Sequence, residues 1–260
     1  MSRTRVWIWK MKVRTQMKIL GIDFETTGLD RERDQIIEVG AVLWDVEASQ
    51  PVKILSEMIK PEGVTELSPE VESITGLKMS MLERYGTSYR EVWTRALGEM
   101  AKCADVFMAH NAPFDRAFYE RAIRDNGLDP GEKKIWINSE TDLPNRAYEK
   151  GRSRSLSYLA ADHGFLNPFP HRAVTDVLTM FKVFEPYSNE MDLIIEQAMS
   201  PRLLVIAQVS FEDKDLAKNA GFKWNADQKT WEMLKRKCDM WERNPFEFPI
   251  KVIEQGGPND

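Results

Sequence analysis

The sequence predicts an α/β fold, a mixed five-stranded sheet flanked by helices, followed by a small α+β C-terminal module. Three observations carry this prediction. Three strand-like segments come first. Helical and strand-like segments then alternate as far as residue 185. A break at Pro201 precedes a run rich in Val, Leu and Ile that opens a second, shorter pattern.

The first strand is read at residues 19–24, from the apolar run Met17-Lys-Ile-Leu-Gly-Ile22, with a turn at Thr26-Thr-Gly-Leu-Asp30. Residues 35–45 (QIIEVGAVLWD) and 52–59 give the second and third strands. Pro, Gly and Ser punctuate residues 61–85, which reads as loop with short helical pieces. Val92, Ala96, Leu97 and Met100 recur at helical spacing over 91–103, and 105–109 (DVFMA) is a short apolar strand. Residues 113–126 form a helix with Asn111 as N-cap and Gly127 as its stop. Residues 135–137 are the fifth strand. A helix over 156–163 is opened by Ser155 and stopped by Gly164, and one over 173–184 has Val174, Leu178 and Phe181 as its core stripe. An amphipathic helix at 189–199 leads to the second module: a strand at 203–211, a helix at 214–220, and a hairpin of 222–224 and 230–233 around Asn225-Ala-Asp-Gln-Lys229. The domain boundaries follow as a basic extension at 1–16, a main domain at 17–187, a linker at 188–202 and an accessory module at 203–260.

Bulk properties narrow the function class. A chain of 260 residues suffices for one sizeable domain and a small one. The formal net charge of −5 argues against a protein that coats nucleic acid through a general basic surface. It leaves room for a nucleic-acid enzyme whose site carries metal ions. The two cysteines, Cys103 and Cys238, lie far apart without metal-ligand spacing, so a cytoplasmic protein without a disulfide framework is expected. No apolar run reaches transmembrane length, and no membrane association is expected. Residues 1–16 hold Arg3, Arg5, Lys10, Lys12 and Arg14 and no acid. They read as a phosphate-touching arm, as an extra edge strand, or as sequence upstream of a natural start at Met11 or Met17.

The chemistry lies in three short stretches. DFETTG (residues 23–28) ends the first strand and puts Asp23 and Glu25 on one face, because residues two apart on a strand point the same way. Two like charges there repel, and burying them without a partner is costly, so a metal ion is the natural counter-charge. HNAPFD (110–115) follows a strand and opens a helix, with Asp115 in the first turn, where an acid also suits the helix dipole. His110 anchors the strand end or lines the cleft. HRAVTD (171–176) places His171 just ahead of a helix and Asp176 inside it, beside the apolar stripe. Taken singly, each has an ordinary structural reading: a solvated strand end, a capping acid, a surface histidine.

Taken together, D-x-E, H-N-x-x-F-D and H-x-A-x-x-D, in that order, resemble the DEDDh 3'→5' exonucleases. That family includes the proofreading subunit of bacterial DNA polymerase III, RNase T and oligoribonuclease. The resemblance covers residues 17–185 and implies a ribonuclease-H-like sheet. It also implies two divalent metal ions, Mg²⁺ or Mn²⁺, which serve phosphodiester hydrolysis by activating water and stabilising the leaving oxygen. By resemblance, Asp23 bridges both ions, Glu25 and Asp176 complete one site, Asp115 holds the second ion through water, and His171 is the general base, a role suited to an imidazole. Thr26 and Thr27 resemble the residues that hold the terminal nucleotide, and otherwise read as turn residues. Leu29 and Phe114 are wedges against the last base, or Phe114 is core. His110 and Asn111 complete the substrate side. Arg172 meets a phosphate or is solvated.

The substrate implied is the 3' end of single-stranded nucleic acid, with DNA favoured over RNA. The alternatives are a 3'→5' exoribonuclease on the same scaffold and, from a different class, an inactive nucleic-acid-binding or partner-recruiting module. Residues 138–155 show no clear family signature, and Arg152-Ser-Arg154 adds positive charge there. The C-terminal stretch F-x-x-K-D-x-A-K-x-x-G-x-x-W resembles a small module attached to phage and plasmid nucleic-acid enzymes. Trp224 and Trp231 read as its core. With Lys218, Lys223 and Lys229 they read instead as a base-stacking face, and residues 203–260 are also available to a protein partner.

Overall fold

The computed structural model of the protein describes residues 17–149 and 153–255. The expected basic extension at 1–16 and the charge at Arg152 lie outside the described residues. The chain divides into two compact units between Ile195 and Glu196.

The first unit is built on a five-stranded sheet of order β3-β2-β1-β4-β5, comprising β1 (Lys18–Thr26), β2 (Ile36–Asp45), β3 (Gln50–Met58), β4 (Val106–Ala109) and β5 (Ile135–Asn138). Strands β1, β2 and β3 pair antiparallel, whereas β4 joins β1 and β5 joins β4 in parallel. The parallel strands need crossovers, and helices supply them. The segment at 61–85 forms two short helices, α1 (Pro69–Thr75) and α2 (Met79–Tyr85). Helix α3 runs over residues 89–103 with a π-helical middle at Trp93–Leu97. It is followed by α4 (Ala112–Asp125), α5 (Leu156–Asp162) and α6 (Ala173–Phe184).

Two sheet faces have different partners. Leu20, Ile22 and Phe24 of β1, with Val39, Ala41 and Leu43 of β2 and Phe107 of β4, join α3 and α4 in one core cluster. The alternate residues of β1 face the other way, toward α6. Gly21 lies there under Phe181 and Val177, where an added Cβ would come within 2.3 and 2.7 Å of their side chains. Gly40 of β2 lies under the start of α6: an added Cβ would sit 2.2 Å from the backbone of Ala173 and Val174. Trp44 stacks on Phe181 at 4.7 Å on the same face. The two glycines thus let α6 approach β1 and β2 closely enough to deliver its first turn to the strand ends.

Several local expectations are corrected. The buried stripe of α6 is Ala173, Val177, Met180, Phe181 and Phe184, while Val174 and Leu178 are only half-buried. Phe181 lies on the buried stripe as expected, but the first two positions fall one residue earlier, at Ala173 and Val177, because α6 is seated by its contact with Gly40, which a search for apolar spacing does not see. Asn111 is not a side-chain N-cap. It adopts a left-handed conformation (φ 69°) and makes no capping bond, a conformation asparagine tolerates better than most residues. Ser155 likewise makes no side-chain capping bond to α5.

Helix α7 (Met191–Met199) leads into the second unit, a four-stranded antiparallel sheet of order β7-β8-β6-β9. Its strands are β6 (Arg202–Ala207), β7 (Lys223–Asn225), β8 (Thr230–Arg236) and β9 (Ile250–Glu254), with α8 (Lys214–Asn219) between β6 and β7. The predicted hairpin is present. The strand expected to reach residue 211 stops at Ala207, and β9, which follows the proline-interrupted run 245–249, was not anticipated. Val205, Ala207, Ala217, Phe222 and Phe248 form the core, with Trp231 packed on it. The core reading holds for Trp231 but not for Trp224, which is half exposed, its ring 5.5 Å from that of Trp231.

Because α6 rests on Gly40 backbone to backbone, no side-chain rotation can relieve an added methyl. Gly40→Ala is expected to cost about 1–3 kcal/mol or more, read as a lowered urea midpoint. An unchanged midpoint would contradict the packing described.

Candidate active site

Strand β1 extends beyond β4. The two pair only over Ile19–Gly21 against Val106–Met108, so the C-terminal part of β1 has no β4 neighbour. The backbone N–H of Phe24 is taken instead by Oδ1 of Asp115, at 3.2 Å. Asp115 lies in the first turn of α4 and is only 2 % exposed. The acids of β1 therefore stand at the carboxyl end of the parallel strands, where open α/β sheets form their crevices.

On the α6 face of this end, Asp23, Glu25 and Asp176 converge. Each offers a carboxylate oxygen, and these oxygens lie within 4.8 Å of one another. Asp115 stands outside that group, yet near enough for its charge to interact with those of Asp23 and Glu25. Four carboxyls so placed repel, and burial removes the water that would screen them. Burial pushes Asp23 well above the usual carboxylate range, and the charges of Asp176 and Glu38 push it further. Glu25 is raised to about 9, first by burial, then by Asp23, Asp176 and Glu38, with Arg172 opposing. Burial and the charge of Asp23 raise Asp115, against the Phe24 N–H that favours its ionised form. Asp176 is raised to about 6 by burial, opposed by the charge and backbone N–H of His171 and by Asn167. The Asn167 side chain donates to Oδ1 of Asp176 at 2.7 Å.

The donor set is all oxygen, and no cation among the described residues neutralises the three clustered carboxylates together; Arg172 is committed to Glu38 (2.7 Å). Hard divalent cations take such ligands, so the residues present fit the metal ions that the DEDDh architecture implies.

His171 precedes α6 with a left-handed backbone (φ 60°) and an exposed side chain. His110 is half-buried. Its Nδ1 lies 2.9 Å from Oγ of Ser139, and burial pushes the imidazole down to about 4, against a hydrogen bond to the backbone of Arg154. It is thus a neutral hydrogen-bonding group at neutral pH. Asn111 donates its backbone N–H to Oδ1 of Asn138 at 3.0 Å.

Thr26 is buried, its hydroxyl donating to the carbonyl of Gly28 at 2.6 Å. The Thr27 hydroxyl donates to Asp34 at 2.8 Å and accepts from the Gln35 N–H at 3.0 Å. Both hydroxyls are engaged in shaping the turn. Leu29 at its tip is 83 % exposed. Phe114 is half-buried, packed on the core with its ring 4.8 Å from Phe118. Of the sequence-selected residues, the structure brings Asp23, Glu25, Asp176, Asp115 and His171 to one strand end. Two neighbours escaped the sequence reading, Asn167 and Glu38. Asn167 sits in a proline-flanked loop without a motif, and Glu38 reads as one polar residue in an apolar strand.

Residues 20–184 match a family model described as Exonuclease. The chain belongs to this exonuclease family. Among curated relatives, a PolC-type DNA polymerase III of Thermotoga maritima is 37% identical over 175 residues, covering 66% of this chain and 12% of the relative. A 3'-5' exonuclease DinG of Staphylococcus aureus is 28% identical over 162 residues, covering 62% of this chain and 17% of the relative. The chain thus spans less than a fifth of the length of either. Solved structures share the ribonuclease-H-like fold: the nuclease domain of 3'hExo, a DEDDh family member bound to rAMP, at a TM-score of 0.57 and 18% identity (68% of this chain, 94% of that one), and E. coli Exonuclease I in complex with a dT13 oligonucleotide, at 0.59 and 17% (74% and 49%). Residues 203–253 match a second model, described as a domain of unknown function.

A carboxyl raised by the fold binds its proton more tightly in the folded than in the unfolded chain. Its stabilising effect is complete below the unfolded value and is lost as pH rises through the folded value. For Glu25 that window runs from about 4.5 to about 9. In EDTA the thermal midpoint should therefore fall across the window, Glu25→Gln should flatten much of the fall, and Mg²⁺ should raise the midpoint most at its alkaline end. Scanning fluorimetry checks this; a midpoint that neither falls with pH nor responds to Mg²⁺ would contradict it.

Proposed function

We propose that the protein is a metal-dependent 3'→5' exonuclease that removes nucleotides from the 3' ends of single-stranded or frayed DNA. The observation that carries the reading is the convergence of Asp23, Glu25 and Asp176 beside Asp115 and His171, in a chain of the exonuclease family. The likeness to a PolC-type DNA polymerase III supports DNA over RNA as substrate. Asp23, Glu25, Asp176 and Asp115 would hold two divalent ions, Mg²⁺ or Mn²⁺. When bound, these ions supply a lowered pKa for the attacking water and stabilisation of charge at the scissile phosphate.

The remaining work falls to the chain itself. His171, exposed to solvent and near enough for its charge to act on Asp176, would take the proton from the attacking water and pass it to solvent. Neutral His110, fixed by Ser139, offers a hydrogen-bonding group to the nucleotide without adding charge. Leu29, held out at the tip of a turn shaped by Thr26 and Thr27, would pack against the terminal base, with Asn111 and Phe114 as further substrate contacts.

Asp23→Asn is expected to abolish cleavage of a 5'-labelled single strand while leaving gel-shift binding largely intact. His171→Ala should lower turnover by roughly 10²–10⁴-fold, the usual scale for a lost general base. Wild-type rates in either variant, with the fold verified by circular dichroism, would remove that residue from the mechanism. A matched RNA strand should be degraded more slowly than DNA; the reverse order would assign the exoribonuclease reading.

A further inference from the structure

We propose that Glu38, paired with Arg172, is a positioning residue for the reaction: from β2 it caps helix α6 and thereby fixes His171 and Asp176 against Asp23 and Glu25. The proposal rests on the exonuclease reading above.

Glu38 is 1 % exposed and lies directly across the β1–β2 ladder from Glu25. An acid so deeply buried beside other acids is costly unless it is neutralised and hydrogen-bonded. Here it is both. Oε1 accepts from Nη2 of Arg172 at 2.7 Å and from Nε at 3.1 Å, and Oε2 accepts from Nε at 3.2 Å. Oε2 also accepts the backbone N–H of Ala173 at 3.0 Å.

That last bond defines the role. A helix starts with N–H groups that have no partner within it, and a side chain at the N-cap usually takes one of them. The N-cap of α6 is Arg172, whose side chain makes no capping bond. Glu38 supplies the acceptor from the neighbouring strand, and its negative charge suits the positive end of the helix dipole. Arg172 is flanked by His171 and stands one helical turn before Asp176. The pair therefore ties both the loop bearing His171 and the first turn bearing Asp176 to the strand opposite Glu25. Gly40, two residues along β2, lets the same turn sit backbone to backbone on the sheet. The guanidinium is committed to Glu38, which replaces the expectation that Arg172 meets a phosphate or is merely solvated.

A merely structural pair would lower stability when cut and leave turnover of the folded enzyme alone. A positioning pair shifts kcat without shifting KM. Glu38→Gln keeps size and the acceptor for Ala173 but loses the charge that holds Arg172. In the full chain it should lower kcat on a 5'-labelled DNA strand by about 10–100-fold, the scale for lost support of a site residue, with KM unchanged. Arg172→Gln should do the same, and the double variant should be no slower than the slower single one. Mn²⁺ affinity by titration calorimetry should weaken in Glu38→Gln. Should Glu38→Gln fail to fold, Arg172→Lys decides in its place, with a lowered kcat at constant KM expected. Wild-type kcat in the folded variant, or a raised KM with normal kcat in Arg172→Gln, would overturn the proposal. If the wild type cleaves nothing, the exonuclease reading fails by itself, and Mn²⁺ affinity judges the inference: weaker in the variant supports it, equal overturns it.

Discussion

The mutual repulsion of half-buried and buried carboxylates at one strand end is the constraint on which the first unit depends. Asp23, Glu25 and Asp176 crowd their oxygens within 4.8 Å, Asp115 lies close by, and Glu38 adds a further buried acid across the ladder. A fold selected for stability alone would place apolar residues here. The architecture instead holds the acids together with three separate devices: a strand that outruns its parallel neighbour, a helix whose first-turn acid fills the vacated hydrogen-bonding position at Phe24, and a helix pressed onto two glycines.

These devices share one logic. Each charged group is held by backbone more than by its own flexible side chain. Asp115 is held by the start of α4 and the Phe24 N–H, Asp176 by the seating of α6, and the acids of β1 by strand register. The Glu38–Arg172 pair sits where two of these anchors meet. It neutralises the acid that shares the cluster's face from the neighbouring strand, so that the excess charge left on that face belongs to the group of three. Repulsion left uncompensated inside the fold becomes affinity for a divalent cation, since only a cation at that point relieves all three carboxylates together.

Much of this was legible in the sequence because it obeys local rules. The period-two placement of Asp23 and Glu25, the strand-to-helix junction at HNAPFD and the loop-to-helix junction at HRAVTD all record backbone geometry in residue order. What escaped depended on contacts between distant segments. In α6 the sequence points to Phe181 but misplaces the first two stripe positions by one residue, because the seating of the helix is set by Gly40 of β2. Asn111 read as a cap because its side chain is the right type, although its backbone turns left-handed there. Glu38 gave no signal, since its meaning lies in Ala173 and Arg172, more than a hundred residues along the chain. In the second unit, β9 gives no clear signal because a short strand after a proline-interrupted run offers little alternation to read, and Trp224 is exposed because it lies on the edge strand β7, although its cross-strand partner Trp231 shares its face and packs on the core.

The most direct test of the account is the degradation of a single-stranded oligonucleotide labelled at its 5' end, with Mg²⁺ or with EDTA. A ladder that shortens one nucleotide at a time from the 3' end is expected in Mg²⁺, and an intact strand in EDTA. Degradation that persists in EDTA, or none in Mg²⁺ on DNA and RNA alike, would contradict the claim that this acidic cluster is a divalent-cation site built for phosphodiester hydrolysis.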